Sequence, residues 1–360
     1  MNTLILKISR ILLPALALLT LPPVAGCDPD DDFGAGDIAD RGGNGSTIKF
    51  NTPFIDGFGS LDGLDTTGAL WNGVRLKAVY LVCPGTGAVT FRKEPICPPN
   101  ATIKLDKVWS DKGQLRGNWS GITFYGDTFL NSEWHIQVYQ NGQFTGEYKL
   151  VIRDYRYDPD VSPYWLYWFN HNGLLQTCQN DAPGEQSEVA AGGAAFVLGN
   201  ISVDTTSGLI SNRLNTVYLA CQNGAVGKAV KLGYLPSKIG TANFTTAVRV
   251  IRADYCGDGV SWTEMGTQFE LRDIWGIEDF DPNGVDEAVW DAHGARCLSK
   301  RRVTPGPNVP VLCKPPLVIV DDETPVPPTS PPVPLPDCHD TNVFPTFPTG
   351  NFWTKVPPPP

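Results

Sequence analysis

The sequence predicts a β-rich α+β fold: an antiparallel sheet or sandwich in the N-terminal half, a disulfide-stapled α+β module after it, and a proline-rich tail. Three observations predict it. Apolar residues alternate with polar ones between turn signals from about residue 47 to 178. Of nine cysteines, eight remain once the first is set aside, an even number. Eighteen of the 32 prolines fall beyond Thr304, where their density removes backbone donors and favours extended chain. Ten tryptophans and a hydrophobic content of 41% supply a sizeable core for 360 residues.

The N-terminus reads as an export signal. Lys7 and Arg10 form a basic region, and residues 11–21 form an apolar stretch too short to span a bilayer stably. Val24-Ala25-Gly26-Cys27 then resembles a bacterial lipobox. Residues 1–26 are expected to be a lipoprotein signal peptide and Cys27 the lipidation site; two or three acyl chains anchor stably where one is marginal. Ordinary secretion with an incidental cysteine is the weaker alternative. Residues 27–46 are acidic and glycine-rich, an expected tether. The expected location is the bacterial cell envelope, lipid-anchored, with inner or outer membrane left open. A net charge of −10 repels phosphate backbones, so nucleic acid is not expected as a partner.

Taken in order, Val74, Leu76, Ala78, Tyr80 and Val82 alternate with Arg75 and Lys77 and predict a strand. Ile103, Leu105 and Lys107 predict another, ending at Trp109. Trp134, Ile136 and Val138 alternate with His135, Gln137 and Tyr139, and Tyr148, Leu150 and Ile152 with Lys149, Val151 and Arg153. Asn72-Gly73, Asp111-Lys112-Gly113, Tyr125-Gly126-Asp127 and Asn141-Gly142 supply turns between them. Tyr164-Trp165-Leu166-Tyr167-Trp168-Phe169 is aromatic on both faces. An exposed platform of this kind would stack on sugar rings, but a strand buried on both sides is preferred.

Residues 179–193, polar and rich in glycine and alanine, are expected to link a β-rich unit at 47–178 to a disulfide-rich unit at 179–340. In the second unit strands are predicted at 196–203, 216–221 and 268–271, with a short helix at 225–232 stopped by Gly233. Phe244, Ala247, Val248 and Ile251 have helical spacing, predicting a helix from Ala242 into Arg252. Residues 285–290 predict a helical turn, and 341–360 a loose proline-rich tail.

The cysteines left after Cys27 are Cys83, Cys97, Cys178, Cys221, Cys256, Cys297, Cys313 and Cys338, which in an exported chain predict four disulfides. Pairing neighbours in sequence gives Cys83–Cys97, Cys178–Cys221, Cys256–Cys297 and Cys313–Cys338. No CxxC pair occurs, so neither a redox motif nor a zinc ribbon is indicated.

The run Arg252-Ala253-Asp254-Tyr255-Cys256-Gly257-Asp258-Gly259 resembles the ADYC domain, a bacterial extracytoplasmic family made up mostly of lipoproteins. The family takes its name from the tetrapeptide at Ala253, Asp254, Tyr255 and Cys256, and its function is unknown. Matches continue at Tyr218-Leu219-Ala220-Cys221, Gly227-Lys228, Leu232-Gly233-Tyr234, Gly266-Thr267 and Gly294-Ala295-Arg296-Cys297, covering about residues 174–338. Ala229 and a residue near Ala247 stand where the family pattern often carries cysteines, as losing one disulfide would leave them. Ser261-Trp262-Thr263 stands where the pattern tends to have His. The resemblance implies an exported, disulfide-bonded protein but no reaction.

Asp254-Tyr255-Cys256 has two readings. A thiol nucleophile needs a base, and His135, His171, His293 and His339 sit in no recognisable setting. A bridged Cys256, an Asp254 that caps turn amides or pairs with Arg252, and a core Tyr255 are preferred. Asp279, Asp281 and Asn283 space oxygen ligands like the opening of a calcium loop, but Trp290 occupies the position of the closing glutamate. A solvated turn is preferred there, and no cofactor is expected. The expected function is a non-enzymatic binding or envelope-structural lipoprotein, with the membrane, a surface glycan or an envelope protein as partner. The alternative is an extracytoplasmic glycan hydrolase with carboxylates among Asp254, Asp258, Glu264 and Asp279.

Overall fold

Short turns set the strand pairing. Asn72 and Gly73, Lys112 and Gly113, and Asn141 and Gly142 take φ values of 44 and 76°, 49 and 78°, and 50 and 77°. Paired left-handed residues of this kind match the twist of a tight hairpin. The computed structural model describes residues 48–50, 61–83, 98–158, 162–171, 175–176, 178, 194–222 except 205, 224–279 except 265, 284–302, 310–314, 331–343 and 346–357 except 347. The expected lipidation site Cys27, the tether, Cys97, Asp281 and Asn283 lie outside these residues.

The first half is strand: β1 (Ile48–Phe50), β2 (Leu61–Asp65), β3 (Val74–Val82), β4 (Thr102–Lys104), β5 (Lys107–Asp111), β6 (Gln114–Trp119), β7 (Ile122–Tyr125), β8 (Glu133–Gln140), β9 (Gln143–Asp158), β10 (Ser162–His171) and β11 (Leu175–Gln176). The second half begins with β12 (Ala194–Val203) and β13 (Ile210–Cys221), followed by helices α1 (Ala225–Lys231), α2 (Pro236–Ile239) and α3 (Thr241–Arg252). It ends with β14 (Gln268–Asp273), β15 (Val285–Asp291), β16 (Gly294–Leu298), β17 (Leu312–Cys313), β18 (Val333–Pro334) and β19 (Phe352–Val356). Among the described residues no helix is long and apolar enough to cross a membrane.

A nine-stranded antiparallel sheet runs β2-β13-β12-β10-β9-β8-β3-β4, with β11 beside β10. It crosses the expected boundary near residue 179, because Trp168 pairs with Ala194. The strand expected from Ile103 to Trp109 is two strands in two sheets. Leu105 N still donates to Val79 O of the large sheet, whereas Asp106 N donates to Asn118 O of the three-stranded sheet β5-β6-β7. That small sheet covers one face of the large one. Val108, Leu115, Phe124 and Phe129 pack there with Trp134, Tyr167, Val197 and Leu219. Trp165, Tyr167 and Phe169 face this core, while Leu166 and Trp168 on the other side of β10 are half-buried.

On the opposite face, Phe196, Leu198, Tyr218 and Ala220 meet α1, α3 and a five-stranded sheet ordered β1-β14-β19-β15-β16. Two expectations fail in this sheet. Residues 285–290 form strand β15 rather than a helical turn. Register shifts at Asp286/Ala288 and Val289/Trp290 break its alternation, so its apolar residues mimic helical spacing. The end expected to lie loose, 341–360, supplies β19, hydrogen-bonded between β14 and β15. Phe352 is buried in the main core and Trp353 points to the other side, the period-two signature of a strand, hidden by the surrounding prolines.

The cysteine pairing is also corrected. Cys178–Cys221 forms as expected, but the remaining described bridges are Cys256–Cys313 and Cys297–Cys338. Cys256–Cys297 and Cys313–Cys338 do not form because the five-stranded sheet separates them. Cys256 and Cys313 belong to the core on its inner face, whereas Cys297 clusters with Val289, Cys338 and Trp353 on its outer face. The proposed partner of buried Cys83, Cys97, lies outside the described residues.

Candidate functional site

Helix α3 ends on a residue that resists the conformation it takes. Ala253 caps the helix at φ 50° and ψ 40°, a left-handed position usually given to glycine. Its N–H donates to Val250 O at 3.1 Å, and Asp254 N donates to Arg249 O at 2.9 Å. The reversal drops Asp254 and Tyr255 into the core, where neither is exposed to solvent.

Asp254 organises the turn that follows. Its Oδ1 accepts from Asp258 N at 3.2 Å and its Oδ2 from Gly259 N at 3.0 Å. Arg252 Nη1 and Arg249 Nε stand 3.8 and 3.9 Å from Oδ2. Both guanidiniums also clasp the turn's backbone. Arg249 donates to Ala292 O and Gly257 O at 2.7 and 2.9 Å, and Arg252 to Gly259 O at 2.7 Å. Burial pushes the Asp254 carboxyl up to about 6, outweighing the pull of Arg252 and Arg249. The two glycines are required by space as well as by φ. A Cβ on Gly257 would lie 2.2 Å from His293 O, and one on Gly259 would lie 2.1 Å from Thr206 O.

Tyr255 stacks on Trp290, ring centroids 5.2 Å apart, and its hydroxyl donates to Glu287 Oε1 at 2.7 Å. Arg302 closes this network. Its Nε donates to Glu287 Oε1 and Oε2 at 2.9 and 3.1 Å, its backbone N–H donates to the Tyr255 hydroxyl at 3.2 Å, and its guanidinium lies 3.9 Å from the Phe269 ring centre. Both charged side chains are wholly buried. Burial first, then the Glu287 charge, raises the Tyr255 hydroxyl well above its ordinary value. Tyr255 therefore stays protonated near neutral pH, and Cys256, bridged to Cys313, carries no thiol for nucleophilic attack.

The structure thus gathers Ala253, Asp254, Tyr255 and Cys256 into one clasp joining α3, the β15–β16 hairpin and β17. It does not gather the suggested carboxylate set around an open centre: Asp254 is enclosed, while Asp258 and Glu264 are exposed. Asp279 is exposed and faces Arg272 at 3.8 Å. Among the described residues no cluster of three metal-ligating side chains occurs. Arg249, Glu287 and Arg302 were missed from sequence. The one signal for Glu287 is an acid inside an apolar run, Val285-Asp286-Glu287-Ala288-Val289-Trp290.

These features define a class: a β-rich, disulfide-bonded protein in which a helix ends in a buried acidic turn held by two arginines. The ADYC domain model matches residues 126–304, so the chain carries an ADYC domain there. The match begins well before residue 174, where the motif resemblance starts, so the domain includes strands of the large sheet from β8 onward. It ends before Cys313 and Cys338, so two bridges tie the matched domain to the segment beyond it. No curated protein and no solved structure matches the chain.

Proposed function

We propose that this chain is an exported bacterial lipoprotein, anchored through Cys27, whose folded body is a non-enzymatic binding or envelope-structural module. The fate of the signature carries the reading. Asp254 and Tyr255 are buried and internally bonded, and Cys256 is bridged to Cys313, so the motif's reactive groups are spent in holding the fold. The three disulfides among the described residues fit an oxidising compartment. In this reading the stacked sheets are a sandwich displayed on the tether at 27–46, and envelope glycans or envelope proteins are the partners within its reach.

The anchor is tested in bacteria expressing the full chain and fed labelled palmitate. The protein should take up label and sediment with membranes, and Cys27→Ala should abolish both. A wild-type chain that stays soluble and unlabelled sinks the anchor. The body is tested by incubating the purified chain with envelope polysaccharides and following both retention and product release. Retention without new reducing ends supports a binding module; steady release of shorter sugars replaces it with the hydrolase.

A further inference from the structure

A groove of about 640 Å³ opens between the outer end of the β12–β13 hairpin and the turn that precedes β3. That volume suits a small ligand or a short oligomer. Its principal groups are fixed in advance. Trp71 N donates to Val74 O at 2.8 Å and Val74 N to Trp71 O at 2.7 Å, closing the Asn72-Gly73 turn. The Arg213 guanidinium lies 3.6 Å from the Trp71 ring centre, and its Nη2 donates to Asp65 Oδ2 at 3.0 Å. Arg213 Nε, without a hydrogen-bond partner among the described residues, is itself shielded from solvent, so Arg213 serves to fix the indole. An aromatic side chain already held in place by its cation loses little freedom on binding.

The other lip is held by the ADYC turn. Asp204 Oδ1 accepts from Thr206 N and Ser207 N at 2.8 and 3.1 Å, shaping the turn between β12 and β13. Gly259 packs directly against Thr206 O, where no Cβ fits. The clasp built around Asp254 therefore supports one wall of the groove.

The lining selects by chemistry. Trp71 and Leu209 offer apolar contact, while Ser211, Asn212 and Asp204 offer hydroxyl, amide and carboxylate groups. The Arg213 charge is already met by Asp65, and Asp204 adds a negative one, so an anionic ligand gains no net attraction. A pyranose complements such a surface. Its C–H groups pack on indole and aliphatic carbon, and its hydroxyls both donate to the carboxylate and accept from the amide. We propose that this groove binds a neutral saccharide, an inference that rests on the binding-module reading above.

Isothermal titration of the detergent-solubilised full chain tests it. The panel holds neutral gluco-, manno- and N-acetylglucosamine oligosaccharides beside uronic and sulfated ones. At least one neutral oligosaccharide should bind, and Trp71→Ala should weaken it by about tenfold or more, as removal of an aromatic anchor does. Leu209→Ala, at a half-exposed position that the fold tolerates, should weaken it as well. Phe144→Ala, outside the groove, should not. Binding that ignores both groove substitutions overturns the site while leaving the binding-module reading in place. Selective binding of the anionic sugars, or of none, overturns the ligand class. Cleavage of the bound sugar overturns the underlying reading and the proposal with it.

Discussion

On one face of the nine-stranded sheet, Trp134, Phe124, Phe129 and Leu219 close against the small sheet, and the polar groups that join them, the Ser110 and Tyr167 hydroxyls and the Trp134 indole N–H that donates to Ser132 Oγ, are neutral. Ser110 donates to Val197 O, and Tyr167 accepts from Leu115 N, each at 2.8 Å. On the opposite face, α3 and the five-stranded sheet carry Asp254, Glu287, Arg249, Arg252 and Arg302 inward with the apolar side chains. The first face needs only shape and hydrophobicity, so many sequences could satisfy it. The second fixes particular residue types, because each buried charge is tolerable only beside its own partner. The difference explains why a recognisable signature lies in the second face.

The comparison predicts a specific failure. Arg302→Met leaves Glu287 charged, buried and without its cation, and should cost about 3–5 kcal/mol in urea unfolding. Glu287→Gln combined with Arg302→Met removes both charges yet keeps an acceptor for the Tyr255 hydroxyl. The double variant should recover most of the loss. If it is as unstable as the single variant, Arg302 acts by filling space over Phe269, and the two faces are alike after all.

The same contrast governs how much was legible in sequence. Period-two runs such as Trp134-His135-Ile136-Gln137-Val138 reveal β8 because one face is simply apolar. Helix α3 is legible from Phe244, Ala247, Val248 and Ile251 for the same reason. Strand β15 is not, since its bulges disturb the period, and β19 is not, since five residues among prolines carry too little pattern. The disulfide partners of Cys256 and Cys297 depend on which side of a sheet each residue faces, and sequence order is silent on that. The motif itself was visible at Asp254 and Tyr255. Its supports, Glu287 and Arg302, stand more than thirty residues away and meet it only in the fold.

A second effect, of about 3 kcal/mol, comes from Asp254, whose folded value of about 6 stands above its ordinary 3.8. A raised carboxyl binds its proton more tightly in the folded state. Its stabilising contribution is therefore complete below the unfolded value and is lost as pH rises through about 6. Asp254→Asn should remove that dependence. The difference in unfolding free energy between the native chain and the variant, measured by urea titration from pH 4 to 7, should slope against the native chain as pH rises. A flat difference means that Arg249 and Arg252 neutralise the carboxylate fully.

The smallest effect belongs to an acid of the opposite kind on the open part of the large sheet. Glu133 accepts from Lys149 Nζ at 2.9 Å and stands 3.6 Å from His135, with its side chain about a third exposed. The Lys149 hydrogen bond, then its charge, holds the carboxyl below its ordinary value despite some burial. A depressed carboxyl stabilises above its unfolded value and loses that contribution as pH falls through its folded one. Solvent screens the pair, so Glu133→Gln should cost no more than about 0.5 kcal/mol at neutral pH, and less in high salt. Its pH slope should be opposite in sign to that of Asp254. Equal signs for the two acids would mean that distance from solvent, which separates Asp254 from Glu133, does not decide the balance between desolvation and pairing in this protein.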